Sequence, residues 1–265
     1  MRISHHVVIS NTPEERQTLA RLGFDVSGTG LIVAFDVYED DSRWQMLSAW
    51  LTSQSRTTLV ETHFSDSELA AAEWLSLRSD WYHGYPEPDI EHDGYKRVTY
   101  DPEKWCVGCN CGKVQKAQFQ MKNEPKWGKK GLLMMNWVFD EIFVKPEVYE
   151  SVFLPLGVRC RPVLDNQLQE LKTVVQLAID ETVELNLEGL PFSTCERCQR
   201  RKYEPVVRGM EPAMHSIPNS SVVRTGHYSG FGGNAFRSIL VSKAVLSKLN
   251  EAKVRGFRVA PLSPI

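Results

Sequence analysis

The chain has 265 residues, of which 42% are hydrophobic and 24% charged, and its formal net charge is −2. This composition is that of an ordinary globular protein and excludes collagen-like, coiled-coil and wholly disordered classes. The N-terminus has no apolar stretch of signal-peptide length, and the apolar runs are too short to span a membrane. We therefore expect a cytoplasmic protein with no membrane partner.

Charge is distributed unevenly along the chain. Residues 1–103 contain 18 acidic and 8 basic side chains, whereas residues 104–265 contain 15 acidic and 23 basic ones. Such a change of sign is typical of a boundary between domains, and it follows the segment 81–89, which is rich in aromatic residues, glycine and proline. We predict an acidic domain at 1–95 and a second domain at 96–265.

Strand and helix patterns alternate in the first 80 residues. The residue pattern predicts strands at 4–10, 31–38 and 57–64. Thr12 followed by Pro13 predicts the start of one helix, and Asp41 predicts the cap of a second. Ser65 to Glu68 form a capping box, which predicts a third helix that carries Leu69, Ala72, Trp74 and Leu75. The order βαβαβα predicts a small α/β sandwich. The common nucleotide-binding and acyl-transfer motifs are absent from this sequence.

Six cysteines in a chain without an export signal are expected to be reduced. Cys106 and Cys109 form one C-x2-C motif, and Cys195 and Cys198 form another 89 residues later. Two such turns supply four thiolates at the corners of a tetrahedron, which is typical of a structural zinc site. We predict Zn²⁺ bound by these four cysteines, with Cys111 as the alternative to Cys109 because the first motif reads C-x2-C-x-C.

A redox function is the competing interpretation of the first motif. Trp105-Cys106-x-x-Cys109 has the form of a thioredoxin motif, which requires a helix directly after the pair. The residues that follow, Asn110-Cys111-Gly112, are a poor helix start, so the zinc interpretation is favoured. Four protein ligands leave no open position on the ion, and such a site is catalytically inert.

The two cysteine turns begin segments that look duplicated. Residues 139–149 align with 236–246, and residues 157–163 align with 256–262. We predict a second domain of two similar halves, at about 104–165 and 193–263, joined by one shared zinc ion. The expected fold class is thus α+β: a small α/β sandwich followed by a zinc-clamped α+β domain.

The second of these segments resembles a known family. Cys195-x2-Cys198, Phe236-x2-Ile239-Leu240-Val241-Ser242 and Gly256-Phe257-x3-Pro261 are similar to the C-terminal part of the bacterial double-CXXCG proteins, over about a quarter of the chain. The resemblance implies an immunity-type role, because some members neutralise a contact-delivered toxin. Two features depart from it: Asn110 and Gln199 stand where the family has glycine, and an entire acidic domain precedes the first motif.

Three functional hypotheses follow. The first is a non-enzymatic, zinc-stabilised module that binds a protein partner, with a toxin-neutralising protein as one form of it. The second is a nucleic-acid or phosphate-binding protein whose basic surface around the zinc includes Lys113, Lys126, Arg200, Arg201 and Lys202. The third is an enzyme in which His227, in the glycine-rich loop 224–233, acts as acid or base. We favour the first, and expect the chain not to be an enzyme.

Overall fold

The computed structural model describes residues 1–26, 28–88 and 94–264. Helices and several sheets are present, which confirms the predicted α+β class. The chain forms two compact units. The first unit comprises Met1–Glu68 and Val206–Gly209, and the second comprises Leu69–Pro205 and Met210–Ile265.

The first unit has the element order that the sequence predicts. Its elements are β1 (Arg2–Ser10), α1 (Pro13–Arg21), β2 (Ile32–Tyr38), α2 (Trp44–Ser53) and β3 (Leu59–His63), followed by α3 (Asp66–Ala71), within which the unit ends. The strands form an antiparallel sheet in the order β2-β1-β3. Alternate side chains of β1 and β2 pack with Leu19 of α1 and Leu47 of α2 in one apolar core.

Side-chain caps determine where two of these helices begin. The hydroxyl of Thr12 accepts a hydrogen bond from the amide of Glu15 at the start of α1. Before α3, the amide of Ser65 donates to the Glu68 carboxylate, and the amide of Glu68 donates to the Ser65 hydroxyl. This reciprocal pair is the predicted capping box, and it satisfies backbone donors that a helix start leaves without partners.

The prediction that Trp74 and Leu75 belong to the third helix is wrong. The helix ends at Ala71, and Trp74–Ser79 forms a strand, β4. This strand lies inside a sheet of the second unit, paired on both edges with strands more than 150 residues later in the chain. The boundary between the units therefore follows Glu68, rather than lying near residue 95.

The second unit contains most of the strands. After β4 come β5 (Pro86–Glu87), α4 (Gly94–Thr99), β6 (Gln120–Met121), β7 (Leu132–Met135), β8 (Val138–Val144) and α5 (Pro146–Val148). Helix α5 continues as a π-helix (Tyr149–Phe153) and a 3-10 helix (Leu154–Leu156). The remaining elements are β9 (Arg159–Leu164), β10 (Glu170–Ala178), β11 (Thr182–Val183), β12 (Phe192–Thr194), β13 (Arg201–Tyr203), β14 (Val222–Thr225), β15 (Tyr228–Ser229), β16 (Ile239–Ser242), α6 (Lys243–Glu251) and β17 (Phe257–Pro261).

Two large sheets of the second unit share one apolar core. A six-stranded sheet has the order β5-β6-β9-β10-β8-β7, a five-stranded sheet has the order β11-β14-β16-β4-β17, and a small third sheet has the order β12-β13-β15. The core contains Leu132 and Met134 of β7 together with Leu75 and Leu77 of β4. Because neighbouring residues of a strand point to opposite faces, Leu133 lies in a different core on the other side of β7.

The same arrangement of elements occurs in both large sheets. A strand (β8 or β16) leads into a helix, a glycine with positive φ (Gly157 at 74° or Gly256 at 95°) and a second strand (β9 or β17). In each sheet these two strands flank a third strand from outside the segment, β10 in one and β4 in the other. The two aligned segments thus have the same local topology.

Replacement of Leu77 by Ala tests the assignment of β4 to the second unit's core. Leu77 is fully buried in that core, so we expect the free energy of unfolding to fall by about 2–5 kcal/mol in chemical denaturation. The control is Leu59→Ala in β3, where the side chain is exposed and the expected loss is below about 0.5 kcal/mol. Equally small losses for both variants would contradict the assignment.

Candidate metal centre

The two cysteine turns have the same backbone hydrogen bonds. In the first, the amide of Cys106 donates to the carbonyl of Cys111 over 2.8 Å, and the amide of Asn110 donates to the carbonyl of Cys106 over 2.7 Å. The second turn repeats this pattern with Cys195 to Arg200 over 3.0 Å and Gln199 to Cys195 over 2.8 Å. The residue after the second cysteine has a left-handed backbone in both turns, with φ of 60° at Asn110 and 59° at Gln199.

The four predicted thiols meet. The Sγ atoms of Cys106 and Cys195 are 3.9 Å apart, those of Cys109 and Cys198 are 3.6 Å apart, and all four lie within 4.8 Å of one another. Four sulfurs around one ion at a bond length of about 2.3 Å are separated by about 3.8 Å. The donor set and its spacing therefore fit a tetrahedral metal ion, and these four cysteines could hold one.

Backbone amides favour ionisation of the first cysteine of each turn. Burial raises the pKa of Cys106, but hydrogen bonds from the amides of Cys109 and Gly108, together with those from the thiols of Cys198 and Cys109, outweigh it and lower the pKa to about 6. The amides of Cys198 and Arg197 likewise lower the pKa of Cys195. Thiolates are the form that binds metal, so the backbone of each turn favours the metal-binding form of its first cysteine.

The remaining two cysteines lie outside this group. Cys111 is fully buried, with its Sγ 3.9 Å from the carbonyl oxygen of Cys109, and burial raises the pKa of its thiol. The structure thus groups Cys109, rather than Cys111, with the other three. Cys160 lies half-buried on β9. After the first turn the next regular element is the short strand β6, whereas a thioredoxin motif requires a helix there.

Arg200 joins the two turns. Its Nη1 atom donates to the carbonyl oxygens of Lys104, over 3.0 Å, and of Cys111, over 3.4 Å. Gly112 makes this contact feasible, because a Cβ atom at that position would clash with both Arg200 and the carbonyl of Lys104, and because its φ is 87°. The guanidinium that the sequence predicts as part of a ligand-binding surface therefore binds the neighbouring backbone.

The other predicted basic residues differ in exposure. Lys113 is buried, with Nζ 3.3 Å from Asp140 Oδ1, and Lys202 is buried and donates to the carbonyl of Gly232. Arg201 is exposed, with its guanidinium 4.6 Å from the centre of the Phe192 ring, and Lys126 is exposed. Arg200 is exposed as well, so three of the five basic residues, Lys126, Arg200 and Arg201, keep charges that a ligand in solution can reach.

A buried ion pair near the turns was missed at the sequence level. Arg224 of β14 donates to both carboxylate oxygens of Glu141 of β8, over 2.9 and 3.3 Å, and Gln176 of β10 donates to Glu141 over 2.8 Å. Burial alone lowers the pKa of Arg224, but the Glu141 carboxylate more than offsets this and raises it. The sequence feature that indicates this ion pair is the presence of two acidic residues, Asp140 and Glu141, within an otherwise apolar strand.

His227 has no catalytic partner among the described residues. Its Nδ1 atom is buried without a hydrogen bond, and burial lowers the pKa of the imidazole to about 4. The ring packs edge-on against Tyr203 at 5.6 Å. An imidazole that is neutral at pH 7 and unpaired with a carboxylate or a hydroxyl lacks the relay that general acid–base chemistry uses.

Comparison with known proteins adds nothing to this geometry. Neither the protein-family models nor the curated proteins that we compared with this chain include a match. Among the described residues, the helices all fall short of the length and apolar character that crossing a membrane requires. The metal centre must therefore be interpreted from its own geometry.

Substitution of Cys195 tests metal binding. We expect the purified protein to contain about one metal ion per chain by elemental analysis, and Cys195→Ser to lose it and several kcal/mol of stability, because binding free energy is also folding free energy. Cys160→Ser is the matched control and should keep both. A native chain that is stable and metal-free would show that the four thiols do not form a metal site.

Replacement of Gln199 by glycine should stabilise the second turn. A left-handed backbone costs an ordinary residue about 1–2 kcal/mol, while glycine loses roughly 0.5–1 kcal/mol more chain entropy, so we expect a gain of about 0.5–1 kcal/mol in unfolding free energy. The same change at Gln17, inside helix α1, should cost about 1 kcal/mol. Loss of stability at both sites would mean that the turn does not impose positive φ on Gln199.

Proposed function

We propose that this chain is a non-enzymatic protein-binding module whose second unit is stabilised by a structural zinc ion. The observation that carries the proposal is the set of four cysteine thiols within 4.8 Å. Four thiolates complete the tetrahedron of a zinc ion and leave no position for water or substrate, which is the arrangement of structural rather than catalytic sites. Elemental analysis identifies the metal, and a zinc-loaded protein is colourless whereas an iron–thiolate protein is not.

We also propose that the second unit consists of two similar halves that share this ion. The matching hydrogen bonds of the two turns and the common order of strand, helix, left-handed glycine and strand support this duplication. An ion bound by one turn from each half would cross-link segments 89 residues apart. Such a link restricts the unfolded chain far more than a local turn does.

The first unit offers the surface that we assign to a protein partner. On the outer face of its sheet, Val8 lies opposite Ala34, and Leu59 and Ile32 are diagonal neighbours of Val8 on either side. Leu59 is 72% exposed, Ile32 62% and Val8 45%. A continuous apolar stripe across an exposed sheet is unusual for a surface that faces only water.

Charge indicates the kind of partner. The segments of the first unit carry ten acidic side chains against six basic ones, all of which are arginine. An apolar centre within an acidic unit is complementary to a protein surface with an apolar centre and a basic rim. A toxin domain with such a face is the form of partner that the resemblance to double-CXXCG proteins favours.

The surroundings of the candidate basic residues and of His227 disfavour the two alternative functions. Burial of Lys113 and Lys202 removes two of the five cations that the nucleic-acid hypothesis needs, and Arg200, although exposed, uses one of its nitrogens to bind neighbouring backbone carbonyls. His227, which the enzyme hypothesis needs, is neutral and unpaired. The protein-binding hypothesis requires none of these groups.

A charge placed on the stripe should abolish partner binding. We expect affinity capture from the source cells to recover one basic protein with the native chain and with Gln17→Glu, an exposed control on helix α1, but not with Leu59→Glu. Calorimetry with that purified protein should give one-to-one binding and at least a tenfold higher Kd for Leu59→Glu, because a buried unpaired carboxylate is costly.

Two results would contradict the proposal. One is equal capture by all three chains, which would place the contact elsewhere. The other is tight binding of single- or double-stranded nucleic acid whose affinity falls steeply with salt, because such a slope measures phosphate contacts and would favour the nucleic-acid hypothesis.

A further inference from the structure

A small cavity lies beside the first cysteine turn. Its volume is about 190 Å³, and its walls include the aromatic residues Tyr95, Trp137 and Phe139 and the polar residues Lys96, Asn110, Lys113 and Asn234. Asn110 belongs to the cysteine turn, while Trp137 and Phe139 come from the hairpin of β7 and β8. The cavity is therefore formed by elements of the second unit alone.

Trp137 has a backbone conformation that is rare for a bulky residue. It occupies the two-residue turn between Met135 and Val138 with φ of 67°, a region that favours glycine. The ring of Tyr85 packs on the indole at 4.4 Å, and the hydroxyl of Tyr95 donates to the Trp137 carbonyl over 3.4 Å. A residue held in such a conformation at a cavity wall is typical of a binding site.

Lys113 provides a donor and Asn110 an acceptor. The ammonium of Lys113 is 6% exposed and lies 3.3 Å from Asp140, whose carboxylate neutralises its charge but uses one of its three N–H donors. The side-chain amide of Asn110 donates to the carbonyl of Gly233, and its Oδ1 accepts a hydrogen bond from no described residue. A ligand can therefore accept from Lys113 and donate to Asn110.

Size and charge together limit the ligand. Drug-sized ligands occupy pockets of about 300–1,000 Å³, so a cavity of about 190 Å³ accommodates a heterocycle of one or two rings. The pairing of Lys113 with Asp140 leaves that ammonium less able to bind a phosphate, and the second cation of the walls, Lys96, has its Nζ 5.9 Å from the centre of the Tyr95 ring. Aromatic walls favour a planar ring that stacks.

We propose that this cavity binds a free nucleobase, with its ring against Trp137 and Phe139 and its polar edge between Lys113 and Asn110. Nucleobases carry a ring or carbonyl acceptor next to an N–H donor, which is the complement of these two side chains. This site is independent of the partner surface proposed for the first unit.

Calorimetry with the metal-loaded protein tests the proposal. The probes are adenine, cytosine and uracil, and adenosine monophosphate and inorganic phosphate are titrated separately for comparison. We expect one-to-one binding of at least one base, and no tighter binding of either phosphate compound. Trp137→Gly removes the ring at a position where glycine is conformationally favoured, so this variant should fold and bind that base at least tenfold more weakly. Phe139→Leu should weaken binding in the same direction.

Trp81→Leu provides the matched control. Trp81 is an aromatic residue of the same unit that packs against His83 and Trp127, away from the cavity walls, and this variant should bind like the native chain. Absence of binding for all three bases, or equal binding by the native chain and both cavity variants, would overturn the proposal. Tighter binding of phosphate than of any base would overturn it as well.

Discussion

Four thiols from two turns that are 89 residues apart in the chain lie within 4.8 Å of one another. Thiolates at this separation repel each other, so all four ionise together only around a cation. The backbone amides of each turn already stabilise one thiolate, at Cys106 and at Cys195. An ion held by the four thiols would balance the charge of the thiolates, and its binding free energy would add to the stability of the second unit.

Other polar contacts reinforce the same part of the molecule. Arg200 connects the second turn to the backbone of the first, and the Arg224–Glu141 pair joins a strand of the five-stranded sheet to a strand of the six-stranded sheet. A buried ion pair of this kind contributes little net stability, but loss of one partner is costly. The apolar core that the two sheets share provides most of the stabilisation.

Local signals predict the first unit well, because its strands and helices are neighbours in sequence and its capping residues act within four positions. The cysteine ligands were also predictable, since metal coordination dictates their spacing. The prediction failed at Trp74, where pairing with residues more than 150 positions away decides the structure. It also did not foresee the burial of Lys113, because the carboxylate that stabilises the ammonium belongs to Asp140 of β8, 27 residues later in the chain.

The residues that follow each cysteine pair show that two different side chains can occupy one turn geometry. The backbone there is left-handed in both turns, with φ of 60° at Asn110 and 59° at Gln199, a region in which glycine has no Cβ penalty. Asparagine tolerates the left-handed region because its short side chain hydrogen-bonds locally, and Asn110 uses that side chain to contact Gly233. Glutamine has less of this tolerance, so Gln199 adopts the left-handed backbone at a cost to the stability of the turn.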